Sequence, residues 1–228
     1  MFDNTAEVLN HRPKSNTKNM ELFKAIHRSQ HVQRNFDLTR DMPEDDIATI
    51  VTAATQCPSK QNVAFYKLHV ITDRNTIGQI YSTCKATPNP DNPQVLGNLV
   101  FVFEEYENYD LKSPNINTQI LAAVNPKSSY HKEALTILEQ DRFTALGIAA
   151  GYVNLVSSQL GYGTGCCSCI LDAPKLKSIL GLKKEPLLVM GIGYKQDGKN
   201  RRVHHLKNTE VFATRKKQPI EINYTHYT

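Results

Sequence analysis

From Glu133 to about Leu160 the chain contains no proline, and Leu135, Leu138, Leu146, Ala149, Ala150, Val153 and Val156 keep a nearly continuous apolar side. Residues three and four apart share a helix face, so this spacing predicts one long helix. Its middle, "ALGIAAGYV", is rich in glycine and alanine. These residues let another backbone approach closely, at about 1 kcal/mol of helix propensity per glycine. The helix is therefore expected to pack tightly against a neighbour. Gly161 suits the left-handed position that ends a helix, so "GYGTG" reads as a helix exit.

Shorter elements precede it. Leu22, Phe23 and Ile26 predict a first helix starting near Met20, behind a polar arm over 1–19. Asp41-Met42-Pro43-Glu44 reads as a helix start, with Asp41 capping and Pro43 in the first turn. Ile47, Ile50, Val51 and Ala54 then give a buried face until Cys57-Pro58 stops the helix. "FYKLHVIT" (65–72) and "LVFVF" (99–103) read as strands, separated by a helix through Ile77, Ile80, Tyr81 and Cys84 and by the Pro-rich 87–94. Residues 105–128 carry no period apart from one short helix expected around "TQILAAV". Asp172-Ala173-Pro174 caps another helix before the strand "PLLVMGIGY". The polar end, 207–228, contains Arg215-Lys216-Lys217, read as a solvated face, and "IEINY", which alternates like a strand added to the sheet of another subunit.

Composition narrows the function classes. With 228 residues, 40% hydrophobic and 21% charged, the chain is expected to fold around one core. A formal charge of +5 is too small an excess for a nucleic-acid-binding face and suits an anionic small ligand. The apolar runs are far shorter than the roughly 18 residues that cross a bilayer. No basic start precedes an apolar core at the N-terminus, so a cytoplasmic protein is expected. Five cysteines, an odd number, argue for reduced thiols. "CCSC" at 166–169 has a C-x-x-C pair but no second pair of ligands for a metal. No P-loop, Rossmann fingerprint, G-x-S-x-G elbow or H-E-x-x-H is present.

What remains is a set of cationic and amide groups at element ends: Arg28, His31 and Arg34 after the first helix, Ser59, Lys60 and Asn62 after the second, and Arg201-Arg202 after the last strand. Guanidinium forks bind phosphate, and Ser, Asn and turn N–H groups can bond a polyol or heterocycle. Four short motifs stand in a definite order: "HRSQHVQRNF" (27–36), "PSKQN" (58–62), "LGYGT" (160–164) and "MGIGY" (190–194), the last followed by "NRRVHH" (200–205). In that order they resemble the FMN-dependent nitroreductase family, over roughly residues 20–206. One departure stands out. Counting back from Phe36, Arg34 falls on the family's last basic position, but Gln30 and Val32 fall where its first Arg and its Ser are expected. Counting forward from Ile26 puts His31 near the serine position instead, so Arg28, Ser29 and His31 compete for the phosphate and ribityl contacts.

The resemblance implies an α+β fold, a mixed α-β-α sandwich with a central, mostly antiparallel sheet and the long helix at a homodimer interface. It divides the chain into an arm over 1–19, an FMN-binding domain over 20–206 and an extension over 207–228 that wraps the partner. FMN would be held by Arg28, Ser29, His31, Arg34, Pro58, Ser59, Lys60, Asn62, Asn92 (or Gln94), Thr164, Gly165 and Arg202. NADH or NADPH would supply hydride to flavin N5 in a ping-pong cycle that ends on a nitroarene or quinone, with no catalytic side chain. Dehalogenating, desaturating or flavin-cleaving relatives, or a flavin-storage protein, are the alternatives. A thiol-redox or metal-dependent protein built on "CCSC" is the rival outside the flavin class.

Overall fold

Strand Leu99–Glu105 organises the molecule, because its alternate side chains are buried on both faces. In the computed structural model, which describes residues 17–84, 92–106, 119, 121, 123–168, 170, 172–202 and 220, the elements follow in order. They are α1 (Thr17–Ser29), α2 (Glu44–Thr55), β1 (Tyr66–Ile71), α3 (Arg74–Tyr81), β2 (Leu99–Glu105), α4 (Ser129–Gln159), β3 (Gly163–Cys167), α5 (Ala173–Leu180) and β4 (Pro186–Gly193). The four strands form one sheet in the order β1-β2-β4-β3, with every pair antiparallel. Leu99, Phe101 and Phe103 of β2 pack with Met190 and Ile192 against Ile50, Ala54, Leu146, Ala149 and Val153 of α2 and α4. On the other face Val100, Val102 and Val189 meet Ile77, Ile80 and Leu176 of α3 and α5. Helices thus cover both faces, giving the expected α-β-α sandwich. Full burial of each such side chain is worth about 1.5–3 kcal/mol.

The long helix forms as its sequence predicts. Ser128 caps it by accepting from the His131 N–H, and Gly161, with φ of 93°, ends it. Ala134, Leu138, Ala145, Leu146, Ala149 and Val153 face the protein, whereas on the other side Phe143 stands exposed one turn before Gly147, and at Gly147 and Gly151 an added Cβ would meet nothing within 4 Å.

Several boundaries differ from the sequence reading. Helix α1 begins at Thr17 rather than near Met20, since Thr17, Lys18 and Asn19 carry no apolar signal. Pro43, not Asp41, holds the N-cap position of α2, and no side chain caps it; Asp41 stays exposed while the acidic first turn Glu44-Asp45-Asp46 favours the helix dipole. "GYGTG" is more than a helix exit, because Gly163–Cys167 form β3, which two glycines had hidden from a propensity reading. Of "TQILAAV", residues 119, 121 and 123 are helical and 124 forms a bend, and the others lie outside the described residues. The arm over 1–16, the basic run 215–217 and all of "IEINY" except Ile220 lie outside the described residues.

Candidate functional site

The chain leaves α1 and crosses the outer edge of β3. Val32 bridges Thr164, and the Gln33 N–H donates to the Thr164 carbonyl at 2.7 Å. Two residues on, the segment meets the chain that follows β4. There the Arg34 N–H donates to the Arg201 carbonyl at 2.8 Å, the Arg201 guanidinium donates to the Val32 carbonyl at 3.0 Å, and Phe36 bridges Lys195. Residues distant in sequence are thereby gathered into one cluster of His31, Arg34, Lys195, Arg201 and Arg202, with Arg28 at its border.

Like charges act on one another throughout this cluster. Burial, and then the charges of Arg201 and Arg202, push the Arg34 guanidinium below its ordinary value. Burial and the Arg28 charge do the same to the Lys195 ammonium. His31 is lowered by burial, then by Arg201, Lys195 and His27. The causes are burial and neighbouring cations, and a gathering of like charges of this kind is favourable to an added anion.

The competing candidates on α1 separate here. An Nη of Arg28 donates to the Ser158 carbonyl at 3.2 Å, capping the C-terminus of α4, where a cation is favoured. Its Nε is buried with no hydrogen-bond partner among the described residues. Ser29 donates to the Ile26 carbonyl at 2.8 Å within its own helix end. His31 is exposed inside the cation cluster. Lys195 escaped the sequence reading, although its place directly after "MGIGY" was a usable signal. So did Asn35, which is fully buried with neither amide atom partnered among the described residues, although it lies within the 27–36 motif.

The "PSKQN" turn lies elsewhere. Pro58 and Ser59 lead α2 into a tight turn over Lys60–Asn62, with Gln61 and Asn62 both left-handed at φ of 53° and 61°. Phe65, at φ of 64°, is buried against Leu121, Ala134, Leu138 and Ala145. Left-handed non-glycine residues cost roughly 1–3 kcal/mol each and persist where packing imposes them. Lys60 Nζ pairs with Asp141 Oδ2 at 2.8 Å, in the first half of α4. Asp141 and Ser158 are about 25 Å apart along the helix at 1.5 Å per residue. Within one chain, Ser59, Lys60 and Asn62 therefore stand apart from the cluster of Arg34 and Arg202.

Thr164 and Gly165 sit mid-strand in β3. Thr164 is buried, and a Cβ on Gly165 would stand 2.5 Å from the Gln94 Cβ, so glycine there lets Gln94 lie on the sheet and donate to the Cys166 carbonyl at 2.6 Å. Asn92 is buried, its Nδ2 donating to Cys167 Sγ at 2.7 Å and its Oδ1 without a partner among the described residues. Burial also raises the Cys166 thiol, the opposite of an activated thiolate. No group of His, Cys, Asp and Glu that could hold a metal occurs among the described residues, and none of their helices is long and apolar enough to cross a membrane.

Residues 27–194, from the end of α1 to the residue after β4, match the family model described as the nitroreductase family. The chain belongs to the nitroreductase family. Solved members share its fold at low identity. A nitroreductase family protein from Clostridium novyi NT is 17% identical, with 84% of this chain and 97% of that chain covered at a TM-score of 0.58. A Bacillus subtilis nitroreductase is 20% identical, with 85% and 76% covered and a TM-score of 0.57. A protein of Exiguobacterium sibiricum 255-15, crystallised in complex with FMN, is 18% identical, with 82% and 92% covered and a TM-score of 0.57. No curated protein matches the chain. The match ends at Tyr194, so Lys195, Arg201 and Arg202 lie just beyond it.

Proposed function

We propose that this nitroreductase-family chain is an FMN-dependent oxidoreductase that takes reducing equivalents from NADH or NADPH and delivers them to an electron-poor acceptor such as a nitroarene or quinone. The observation that carries the reading is the gathering of Arg34, Lys195, Arg201 and Arg202 around His31, where burial and neighbouring cations lower His31, Arg34 and Lys195 together. A phosphate monoester brings about −1.5 to −2 charges at neutral pH, and this donor set fits it. The orphaned amide of Asn35, and the Oδ1 of Asn92, fit the polar parts of the same cofactor. FMN, when bound, supplies the hydride chemistry at its N5.

The chain's own task is to bind and orient. Arg34 and Arg202 hold the phosphate, His31 replaces the missing serine, and Arg28 braces α4 beside them. Thr164 and Gly165 flank the ring along β3. Pro58 shapes the turn from which Ser59, Lys60 and Asn62 contribute, and that turn comes from a second copy. The exposed face of α4 around Gly147 and Gly151 supports a homodimer, since close helix approach favours small residues. In an antiparallel pairing centred between these glycines, residue 141 of one chain stands level with residue 157 of the other, which joins the two half-sites. Visible flavin absorption in the purified protein, bleached by NADH or NADPH and restored by a nitroarene, is the expected result; a protein that stays colourless after incubation with FMN overturns the reading.

A further inference from the structure

Lys60 reaches back from its turn to a carboxylate that no sequence motif singles out. Its Nζ lies 2.8 Å from Asp141 Oδ2, and the Asp141 side chain is only 14% exposed against 44% for Lys60. Short backbone bonds fix the turn, Asn62 N–H to the Ser59 carbonyl and Val63 N–H to the Lys60 carbonyl, both at 3.1 Å. The left-handed Gln61 and Asn62 let the chain curl so that Lys60 faces the helix. A lysine held against a largely buried carboxylate projects little net field beyond the pair.

We propose that Asp141 is a positioning residue that holds the Lys60 ammonium at the cofactor turn and cancels its charge, thereby setting the reduction potential of the bound flavin. This rests on the two-chain FMN reading above. Reduction adds negative charge to the flavin, so a free cation nearby favours the reduced state and a compensated one does not. Asp141 thus keeps the potential lower than Lys60 alone would set it.

The test compares FMN-loaded wild type, Asp141→Asn, Lys60→Met and the double variant. Two-electron midpoint potentials are read against reference dyes, with FMN dissociation constants measured alongside. Asp141→Asn is expected to favour reduced over oxidised flavin about tenfold more than wild type does, a rise of about 30 mV for a two-electron couple. Lys60→Met removes the cation but keeps the carboxylate and is expected to lower the potential by a similar amount; the double variant returns close to wild type. An unmoved potential in Asp141→Asn overturns the inference, as does an equal shift with and without Lys60. Lys60 lies on an exposed turn, so Lys60→Met gives a reading even if Asp141→Asn fails to fold, and no change there also overturns the inference. Flavin bound at unmoved potentials sinks this inference alone, whereas wild-type protein that takes up no FMN sinks the proposed function with it.

Discussion

The two ends of α4 handle charge in opposite ways. Around its first half, cations meet anions: Lys60 pairs with Asp141 at 2.8 Å and Arg142 with Glu105 at 3.0 Å. At its C-terminal end Arg28, His31, Arg34, Lys195 and Arg201 act on one another as like charges. The first arrangement pairs opposite charges; the second gathers like ones, which an added anion would relieve. A basic residue in a suggestive motif is therefore weak evidence for a binding site until its compensation is known, and by that measure the PSKQN lysine and the Arg34 guanidinium play different parts.

The most severe way to break the comparison is to keep the two ends from meeting in a dimer. Gly151→Arg is expected to give a folded monomer by light scattering and circular dichroism, with flavin content close to zero, because each half-site lacks its complement. A monomer that retains flavin would show that one chain suffices. Next in size, Arg34→Ala should weaken FMN binding by roughly 10- to 150-fold, the equivalent of about 1.5–3 kcal/mol for a charged hydrogen bond. Fluorescence titration of apoprotein measures it, and Lys60→Ala in the same assay should lose far less.

A pH dependence sharpens the contrast further. His31 titrates below its ordinary value, so the folded chain refuses a proton that the unfolded chain accepts below about pH 6.5. Stability of the apoprotein should fall as pH drops through that value, until the lowered folded pKa is passed. Inorganic phosphate or FMN offsets Arg201 and Lys195, raises the folded pKa and flattens this loss. Denaturant midpoints across the range, with His31→Gln as control, report it; a loss of the same depth with phosphate present would place His31 outside the anion site. Smallest of all is the stability change in Lys60→Ala, no more than about 1 kcal/mol because the lysine is partly exposed.

Much of the scaffold was legible because its signals are local. The apolar period of α4, the Asp172 cap that accepts from the Lys175 N–H, and the run of buried residues in β2 each declare their element within a few residues. Strand β3 was hidden because Gly163 and Gly165 read as punctuation, yet their missing Cβ atoms admit Gln33 and Gln94. Lys195 and Asp141 were invisible as site residues for another reason: a lone charge has no meaning until its neighbours in space are known.

By itself, then, the sequence determined the order of every element but β3, the long helix and the family, since periodicity, caps and motif order are written along the chain. Tertiary structure alone decided which basic groups share a site. Backbone pairing of residues 32–36 with β3 and with the chain after β4 collects Arg34 and Arg201, while the turn of α2 against α4 gives Lys60 to Asp141. Charge compensation acts through distance in space, and that distance is set by the packing of whole elements.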